Sequence, residues 1–288
     1  MREMQKSEVI PVFQGIVEEF SPQLRQLVRS MLKGRDLAVF DRVHKDYYLN
    51  PNKLEHLSTR WYDLYHVIHG TLAAIKLVRS NPESVSPLIV SEISVHDVGY
   101  YSSLVDPASW RTPEARIIHQ QESAGITAEI LTKVGGFTAS EIGRIVADVG
   151  SHDNGYLGIH TQNPVRLALR DADRAWVMHP ISFYKDWASQ KRFSLLRLLQ
   201  SRTVSFYNSD DYVPWGRTKN PTRGDKLQQS QAPYTKLARE ERDRQFRGRY
   251  NEIRKGIVNW DKDRFEAYFK VYAQRELRFE KARKEGMH

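Results

Sequence analysis

A succession of helix start and stop signals between residues 58 and 202 constrains the fold of this chain more than any other feature. The predicted starts combine a capping residue with a following proline or with the glutamate of a capping box, at Ser86-Pro87, Thr112-Pro113, Thr138-Ala-Ser-Glu141 and Asn163-Pro164. Gly135-Gly136 and Pro180 are stop signals. Apolar residues recur three and four positions apart, and no segment alternates with a period of two. The sequence therefore predicts an all-α fold, a helical bundle with further helices before and after it.

Composition divides the chain into three predicted parts. Residues 1–57 form a helical N-terminal extension, residues 58–205 form the bundle, and residues 206–288 form a linker followed by a basic, helical C-terminal extension. The net charge of +9 comes from residues 216–288, which hold 20 Lys and Arg against 11 Asp and Glu. Because the first 215 residues are neutral, we expect the chemistry of the chain in the bundle.

Cysteine is absent from all 288 residues. Its absence excludes disulfides, thiolate metal sites and cysteine nucleophiles, so any metal site must use nitrogen and oxygen ligands. The apolar runs are too short to span a membrane. The first residues also lack the uninterrupted apolar stretch of a secretory signal. We therefore expect a cytoplasmic protein that does not enter a membrane.

Most of the histidines lie between residues 66 and 179, at the ends or on the inner faces of predicted helices. Divalent ions need ligands that converge from several directions, which the interior of a helical bundle supplies. His96-Asp97 is the most informative pair, because adjacent residues of a helix point about 100° apart. The imidazole can then bind one ion while the carboxylate lies between two.

The order of these residues resembles that of the HD superfamily of metal-dependent phosphohydrolases. Five elements carry the resemblance, in order between about residues 60 and 180: Tyr65-His66-Val67, Ser94-Val-His-Asp-Val-Gly-Tyr100, His119-Gln-Gln-Glu-Ser-Ala124, Val149-Gly-Ser-His152 and Leu169-Arg-Asp-Ala-Asp173-Arg174. The resemblance implies a bundle of the HD-domain type with six metal ligands: His66, His96, Asp97, His119, His152 and Asp173. This ligand set is that of the two-metal branches. It implies two divalent ions, with iron or manganese favoured over magnesium, cobalt or nickel.

Some of these assignments leave an alternative residue open. His69 lies one turn from His66 on nearly the same face and could replace it. Asp171 could replace Asp173, although the Ala-Asp-Arg register favours Asp173. Asp153 is interpreted as a neighbour that caps or hydrogen-bonds the site. The other histidines have no motif support and are interpreted as loop or helix-end residues: His44, His56, His160 and His179.

The resemblance also implies an activity, the hydrolysis of a phosphate ester on a small, nucleotide-like substrate by a metal-activated water. The residues expected to act in catalysis are Asp97, Arg174 and Lys76. Those expected to bind the substrate are Arg79, Tyr100, Arg116 and Arg170. Many members of the superfamily have lysine where this chain has Tyr100. The Gly-Tyr-Pro element of the cyclic-di-nucleotide phosphodiesterases is also absent, so we do not predict that substrate.

Two other functions stay open. The same ligand set resembles that of the mixed-valent di-iron oxygenases, such as myo-inositol oxygenase and its phosphonate-cleaving relatives, which cleave a C–C or C–P bond. The basic C-terminal extension, with aromatic residues among its Lys and Arg, could bind nucleic acid through phosphates and stacked bases. Its Glu and Lys alternate at helical spacing, however, which favours an amphipathic helix packed on the core. The oligomeric state is not predicted.

Overall fold

A computed structural model of the chain describes residues 5–53, 60–105, 112–157, 159, 161, 163–189, 194–206 and 235–286. Within these ranges the regular secondary structure is helical and no strand occurs. The all-α prediction is therefore confirmed. His56, His160 and nearly all of the predicted linker lie outside the described residues, as does Ser58, where the first helix of the bundle was expected to begin.

Long and short helices alternate from α1 to α6, short helices follow from α7 to α9, and the last two described helices are long. In chain order the α-helices are α1 (Lys6–Met31), α2 (Gly34–Val43), α3 (Arg60–Ser80), α4 (Ile89–Val95), α5 (Pro113–Val134), α6 (Ala139–Val149), α7 (Pro164–Arg174), α8 (Pro180–Ser189), α9 (Leu195–Phe206), α10 (Lys236–Arg254) and α11 (Lys262–Glu285). A π-helical turn (His44–Tyr48) follows α2, and 3-10 turns occupy Pro51–Lys53, Val98–Tyr101, Asn154–Leu157 and Ile257–Asn259.

Side-chain caps begin several of these helices where the sequence predicts them. Thr112 Oγ1 accepts a hydrogen bond from the N–H of Ala115 at the start of α5, and Thr138 forms a capping box with Glu141 at the start of α6. Two boundaries differ from the prediction. Helix α4 begins at Ile89, after a turn that follows Ser86-Pro87, and α7 ends at Arg174, before Pro180.

The first part of the predicted helical N-terminal extension is the single helix α1, despite Pro11 and Pro22 in its interior. Both prolines are exposed, on the face of α1 opposite its buried side chains. Water can therefore satisfy the backbone carbonyl groups that lose a hydrogen bond at each proline.

Helices from both ends of the chain share one hydrophobic core with the bundle. Phe13 of α1 lies 6.0 Å from Tyr184 of α8 and 5.0 Å from Phe269 of α11, measured between ring centroids. Phe265 and Phe269 are fully buried or nearly so. The basic C-terminal helix therefore packs on the core through an apolar face. None of the described helices combines the length and the apolar character that crossing a bilayer requires.

Two glycines allow the helices around the candidate site to approach closely. A Cβ on Gly70 of α3 would lie 2.9 Å from the side chain of Ile93 in α4. A Cβ on Gly99 would lie 2.2 Å from the carbonyl oxygen of His119 in α5, and the N–H of Gly99 donates to Ser123 Oγ at 2.9 Å. These contacts set α3, α4 and α5 around one small volume.

Candidate metal centre

Six side chains from five helical elements converge at this volume. They are the six ligands that the resemblance implies: His66 in α3, His96 and Asp97 at the end of α4, His119 in α5, His152 in the turn after α6, and Asp173 in the last turn of α7. Because these side chains come from separate elements of the chain, the site depends on the packing of the whole bundle.

The first group of ligands lies on one side of Asp97. His66 Nε2 is 3.1 Å from Asp173 Oδ1 and 3.2 Å from His96 Nε2. Oδ2 of Asp97 lies 3.1 Å from His96 Nε2 and 3.4 Å from His66 Nε2. Two imidazole nitrogens and two carboxylate oxygens thus face one another.

The second group lies on the other side of the same carboxylate. His119 Nε2 and His152 Nε2 are 3.2 Å apart, and each is 3.4 Å from Asp97 Oδ1. Asp153 lies close enough to this pair to supply a further oxygen. Each oxygen of Asp97 therefore faces a different pair of histidines.

Backbone carbonyl groups orient two of the four imidazoles. His96 Nδ1 lies 2.7 Å from the carbonyl oxygen of Ile93, and His152 Nδ1 lies 2.6 Å from that of Val149. A carbonyl oxygen only accepts, so Nδ1 carries a proton in both rings, and Nε2 is the nitrogen that each imidazole, once neutral, can offer to a metal ion.

Charge and burial shape the titration of the cluster. Burial lowers the pKa of His66, but hydrogen bonds with Asp173 and Asp97 outweigh it and raise this pKa to about 9. Burial would raise the pKa of Asp97, but His96 and the hydrogen bonds from His119, His152 and His66 lower it well below its usual value. The carboxylates are thus ionised, and a metal ion would replace the protons that they hold on the imidazoles.

The distances between the candidate ligand atoms fit a metal ion. Ligands about 2.1 Å from one ion lie about 3.0–3.4 Å from each other at octahedral or tetrahedral angles. The separations on either side of Asp97 fall in this range, and the donors are the imidazole nitrogens and carboxylate oxygens that first-row divalent ions accept. The cluster can therefore hold a metal ion.

Three of the predicted substrate or catalytic residues lie beside the ligands or near them. Tyr100 stacks on His119, with ring centroids 4.1 Å apart. Arg116 forms an ion pair with Asp153, next to His152, with a separation of 2.5 Å. Arg174 directly follows the ligand Asp173, and its side chain is half-buried.

Arg170 lies one turn before Arg174 on the same helix and is also half-buried. The structure does not bring the other two predicted residues to the ligands. Lys76 is ten residues beyond His66 along α3 and forms an ion pair with Glu280 of α11. Arg79 is exposed near the end of α3 and donates a hydrogen bond to the carbonyl oxygen of Met31.

The alternative ligands are engaged elsewhere. Asp171 Oδ2 accepts hydrogen bonds from the N–H and the hydroxyl of Thr235, at 2.7 and 2.9 Å, which leaves Asp173 facing the cluster. His69 points away from the cluster and lies near His179 and Glu276. His44 directly follows α2 and is therefore a helix-end residue, as interpreted from the sequence; it is fully buried, and its Nδ1 lies 2.8 Å from the carbonyl oxygen of Phe40.

The grouping of His69, His179 and Glu276 is a feature that sequence reasoning missed. His179 was interpreted as a loop or helix-end residue, and Glu276 had no assigned role. No motif links α3 to α11, so only the packing of the C-terminal helix could show that these side chains meet.

Comparisons with protein-family models, with curated proteins and with solved structures find no match for this chain. Its function must therefore be argued from the site itself.

Proposed function

We propose that the chain is a metal-dependent phosphohydrolase of the HD superfamily with a dinuclear centre. The observation that carries this proposal is the position of Asp97, whose Oδ2 faces His66 and His96 while its Oδ1 faces His119 and His152. One carboxylate between two separate groups of nitrogen ligands is the arrangement that two neighbouring cations require.

In this proposal His66, His96 and Asp173 hold one ion, His119 and His152 hold the other, and Asp97 bridges them. Iron or manganese suits these nitrogen and oxygen ligands. Two divalent ions supply a nucleophilic water at neutral pH and neutralise the charge that develops on a transferring phosphoryl group. Asp153 lies beside His119 and His152 and would orient that water or the second ion.

Cationic side chains on the helix that carries the candidate ligand Asp173 support an anionic substrate. Arg170 and Arg174 lie one turn apart on α7, and both are half-buried. Burial and the neighbouring charge of Arg174 lower the pKa of Arg170 to about 10, so the guanidinium group of Arg170 is still charged at neutral pH. Two cations this close together favour a ligand with more than one negative charge, as a phosphate ester has. Lys76 and Arg79 have no part in the proposal, because they lie away from the cluster.

Packing of the C-terminal aromatic residues gives no support to the nucleic-acid alternative. Phe265 and Phe269 are buried in the core, and the Tyr272 ring packs against His179 at 5.7 Å. Trp260 carries the guanidinium of Arg264 on its face, 4.1 Å from the ring centroid. Aromatic rings whose faces are covered by the core or by another side chain do not offer surfaces on which bases can stack.

The test is phosphate release from a panel of phosphate esters, from p-nitrophenyl phosphate to nucleoside mono-, di- and triphosphates. The full-length protein is loaded with Mn²⁺ in air or with Fe²⁺ under nitrogen. We expect hydrolysis that Asp97→Asn and His119→Gln each reduce at least 1,000-fold. Asp41→Asn is the matched control, because Asp41 forms a surface ion pair with Arg29 far from the ligands.

Metal content and EPR on the same samples decide between the hydrolase and the oxygenase. Two divalent ions per chain with metal-dependent phosphate release support the proposal. Two irons that give a mixed-valent signal once the iron-loaded protein is exposed to air, with dioxygen consumption and no phosphate release, contradict it and support C–C or C–P bond cleavage. A protein that takes up no metal under either loading condition contradicts both.

A further inference from the structure

A second group of metal-ligating side chains lies on the far side of Trp176 from the metal centre. His179 Nε2 is 3.0 Å from Glu276 Oε2, and His69 Nε2 is 4.0 Å from the same oxygen. The Trp176 ring lies 5.7 Å from the His69 ring and 5.9 Å from the His66 ring, measured between centroids. The two groups are therefore neighbours that share no ligand.

A cavity of about 60 Å³ adjoins this second group. Helices α3, α10 and α11 provide most of its lining, and His69 and Glu276 both face it. The volume has room for an ion with one or two waters and excludes a larger organic ligand.

Three buried acceptor atoms belong to residues that line this cavity and have no hydrogen-bond partner among the described residues. They are His69 Nε2, Gln245 Oε1 and Glu280 Oε2. Two of these side chains are held at their other polar atom: Gln245 donates its amide N–H to Glu241 at 2.7 Å, and Glu280 Oε1 accepts from Lys76. Each of the three residues is more than nine-tenths buried. Buried lone pairs that are left without donors cost free energy, which a cation would recover.

The charge of the lining favours a cation as well. Four carboxylates line the cavity, Asp171, Glu241, Glu276 and Glu280, against the two cationic side chains of Lys76 and Arg283. His69 lines the same cavity, so an imidazole nitrogen accompanies these carboxylate oxygens.

His179 orients the carboxylate of Glu276. The N–H of Ile181, in the first turn of α8, donates to His179 Nδ1 at 3.4 Å. The proton of the neutral imidazole is then on Nε2, which donates it to Glu276 Oε2. A histidine that donates to a ligating carboxylate is a common support for a metal site.

We propose that this cavity binds one divalent cation of the zinc or cobalt class, with His69 Nε2 and the Glu276 carboxylate as its ligands. His179 holds Glu276 in place, and the free oxygens of Gln245 and Glu280, or waters, complete the coordination. Mixed imidazole and carboxylate ligands suit these ions better than magnesium or calcium, which take oxygen ligands alone. The site is independent of the dinuclear centre and of the proposed hydrolase activity.

The test uses Zn²⁺ alone on the full-length chain, stripped of metal and then studied by equilibrium dialysis with elemental analysis. We expect Glu276→Gln and His69→Gln each to weaken zinc affinity at the cavity at least 10-fold. Each variant should therefore bind one ion fewer per chain than the wild type. Glu266→Gln is the matched control, because Glu266 lies on the same helix in a surface ion pair with Lys270. Thermal melting without zinc checks that each variant folds. If Glu276→Gln does not fold, the result for His69→Gln decides.

Asp97→Asn separates this proposal from the dinuclear centre. We expect it to lose zinc at the centre and to keep the ion that Glu276→Gln removes. If the wild type and the two cavity variants bind equal zinc, the cavity holds water only and the proposal is wrong, whatever happens at Asp97. If Asp97→Asn binds as much zinc as the wild type while Glu276→Gln loses one ion, the cavity site stands and the dinuclear centre does not.

Discussion

Tyr100 lies flat on His119, with ring centroids 4.1 Å apart and an angle of 7° between the ring planes. His119 needs this support, because its Nδ1 is buried and has no hydrogen-bond partner among the described residues. Its neighbours at the cluster, His96 and His152, are each held by a backbone carbonyl group. The stacked ring of Tyr100 therefore orients His119, as a hydrogen bond to a backbone carbonyl group orients each of the other two imidazoles.

We expect Tyr100→Ala to weaken metal binding on the His119 side of Asp97 by about 10-fold, the lower end of the range for lost support of a metal ligand. Tyr100→Phe keeps the stacked ring and serves as the control, with unchanged affinity. Equilibrium dialysis with Mn²⁺ measures both. Equal losses in the two variants would show that the hydroxyl group, and not the ring, supports the site.

The approach of Gly99 to α5 gives a second prediction. A Cβ at this position would meet the His119 carbonyl oxygen at 2.2 Å and the Ser123 nitrogen at 2.6 Å, both of them backbone atoms that cannot turn aside. We expect Gly99→Ala to lower the free energy of unfolding by about 3 kcal/mol or more.

Urea denaturation of Gly99→Ala measures this change. Gly143→Ala is the control, because Gly143 is exposed in α6 and a Cβ there meets nothing within 4 Å. We expect the control to stabilise the protein by about 0.5–1 kcal/mol, since alanine favours a helix over glycine. A Gly99→Ala variant as stable as the wild type would mean that α4 and α5 do not pack this closely.

The parts of the structure that the sequence predicts well depend on local chemistry. Thr112 and Thr138 cap their helices because each hydroxyl oxygen accepts a hydrogen bond from an N–H group only three residues later in the chain. The resemblance predicted six candidate ligands, and the structure brings their side chains together, although it does not test whether they bind a metal. His66 and His96, for example, meet as the motif order implies.

Contacts between distant segments could not be predicted in this way. Lys76 was expected at the ligands because it shares a helix with His66, but its ammonium group pairs with Glu280. The same packing of α11 on α3 brings His69 to Glu276. A helix face is visible in a single sequence, whereas the partner that covers it is determined by the tertiary packing.

Glu92 gives a prediction on pH dependence. It is fully buried in α4, and neither carboxylate oxygen has a hydrogen-bond partner among the described residues. Burial, with a smaller contribution from Asp148, raises its pKa from 4.5 to about 8. The folded protein therefore holds this proton more tightly than the unfolded chain does. The contribution of protonated Glu92 to the free energy of unfolding is fully present below pH 4.5 and is lost as the pH rises towards 8.

We expect Glu92→Gln, which mimics the protonated acid, to raise the free energy of unfolding by roughly 2–4 kcal/mol at pH 8 and to change it little at pH 4.5. Urea denaturation at the two pH values measures the difference, with the exposed Glu83→Gln as the control. A gain that is equal at both pH values would contradict the raised pKa and would indicate a change in packing alone.

The last prediction concerns a buried ion pair within α10, whose two residues also bond to Met178 and Tyr184 in the core. Arg249 Nε and Nη2 donate to Glu252 at 2.7 and 2.5 Å, and Nη1 donates to the carbonyl oxygen of Met178 at 3.1 Å. The hydroxyl of Tyr184 donates to the same glutamate at 3.0 Å. Arg249 and Glu252 are almost fully buried. Removing one partner would therefore leave the other charge buried without compensation, at a cost of about 3–5 kcal/mol.

We expect Arg249→Met to lower the free energy of unfolding by that amount in urea denaturation, because it strands the Glu252 carboxylate. Arg249→Met combined with Glu252→Leu should recover much of the loss, since no buried charge then remains. Lys133→Met is the control, because Lys133 pairs with Glu129 at the surface and its loss should leave stability unchanged. If the double variant is no more stable than Arg249→Met, the hydrogen bonds to Met178 and Tyr184, and not the stranded charge, hold α10 to the core.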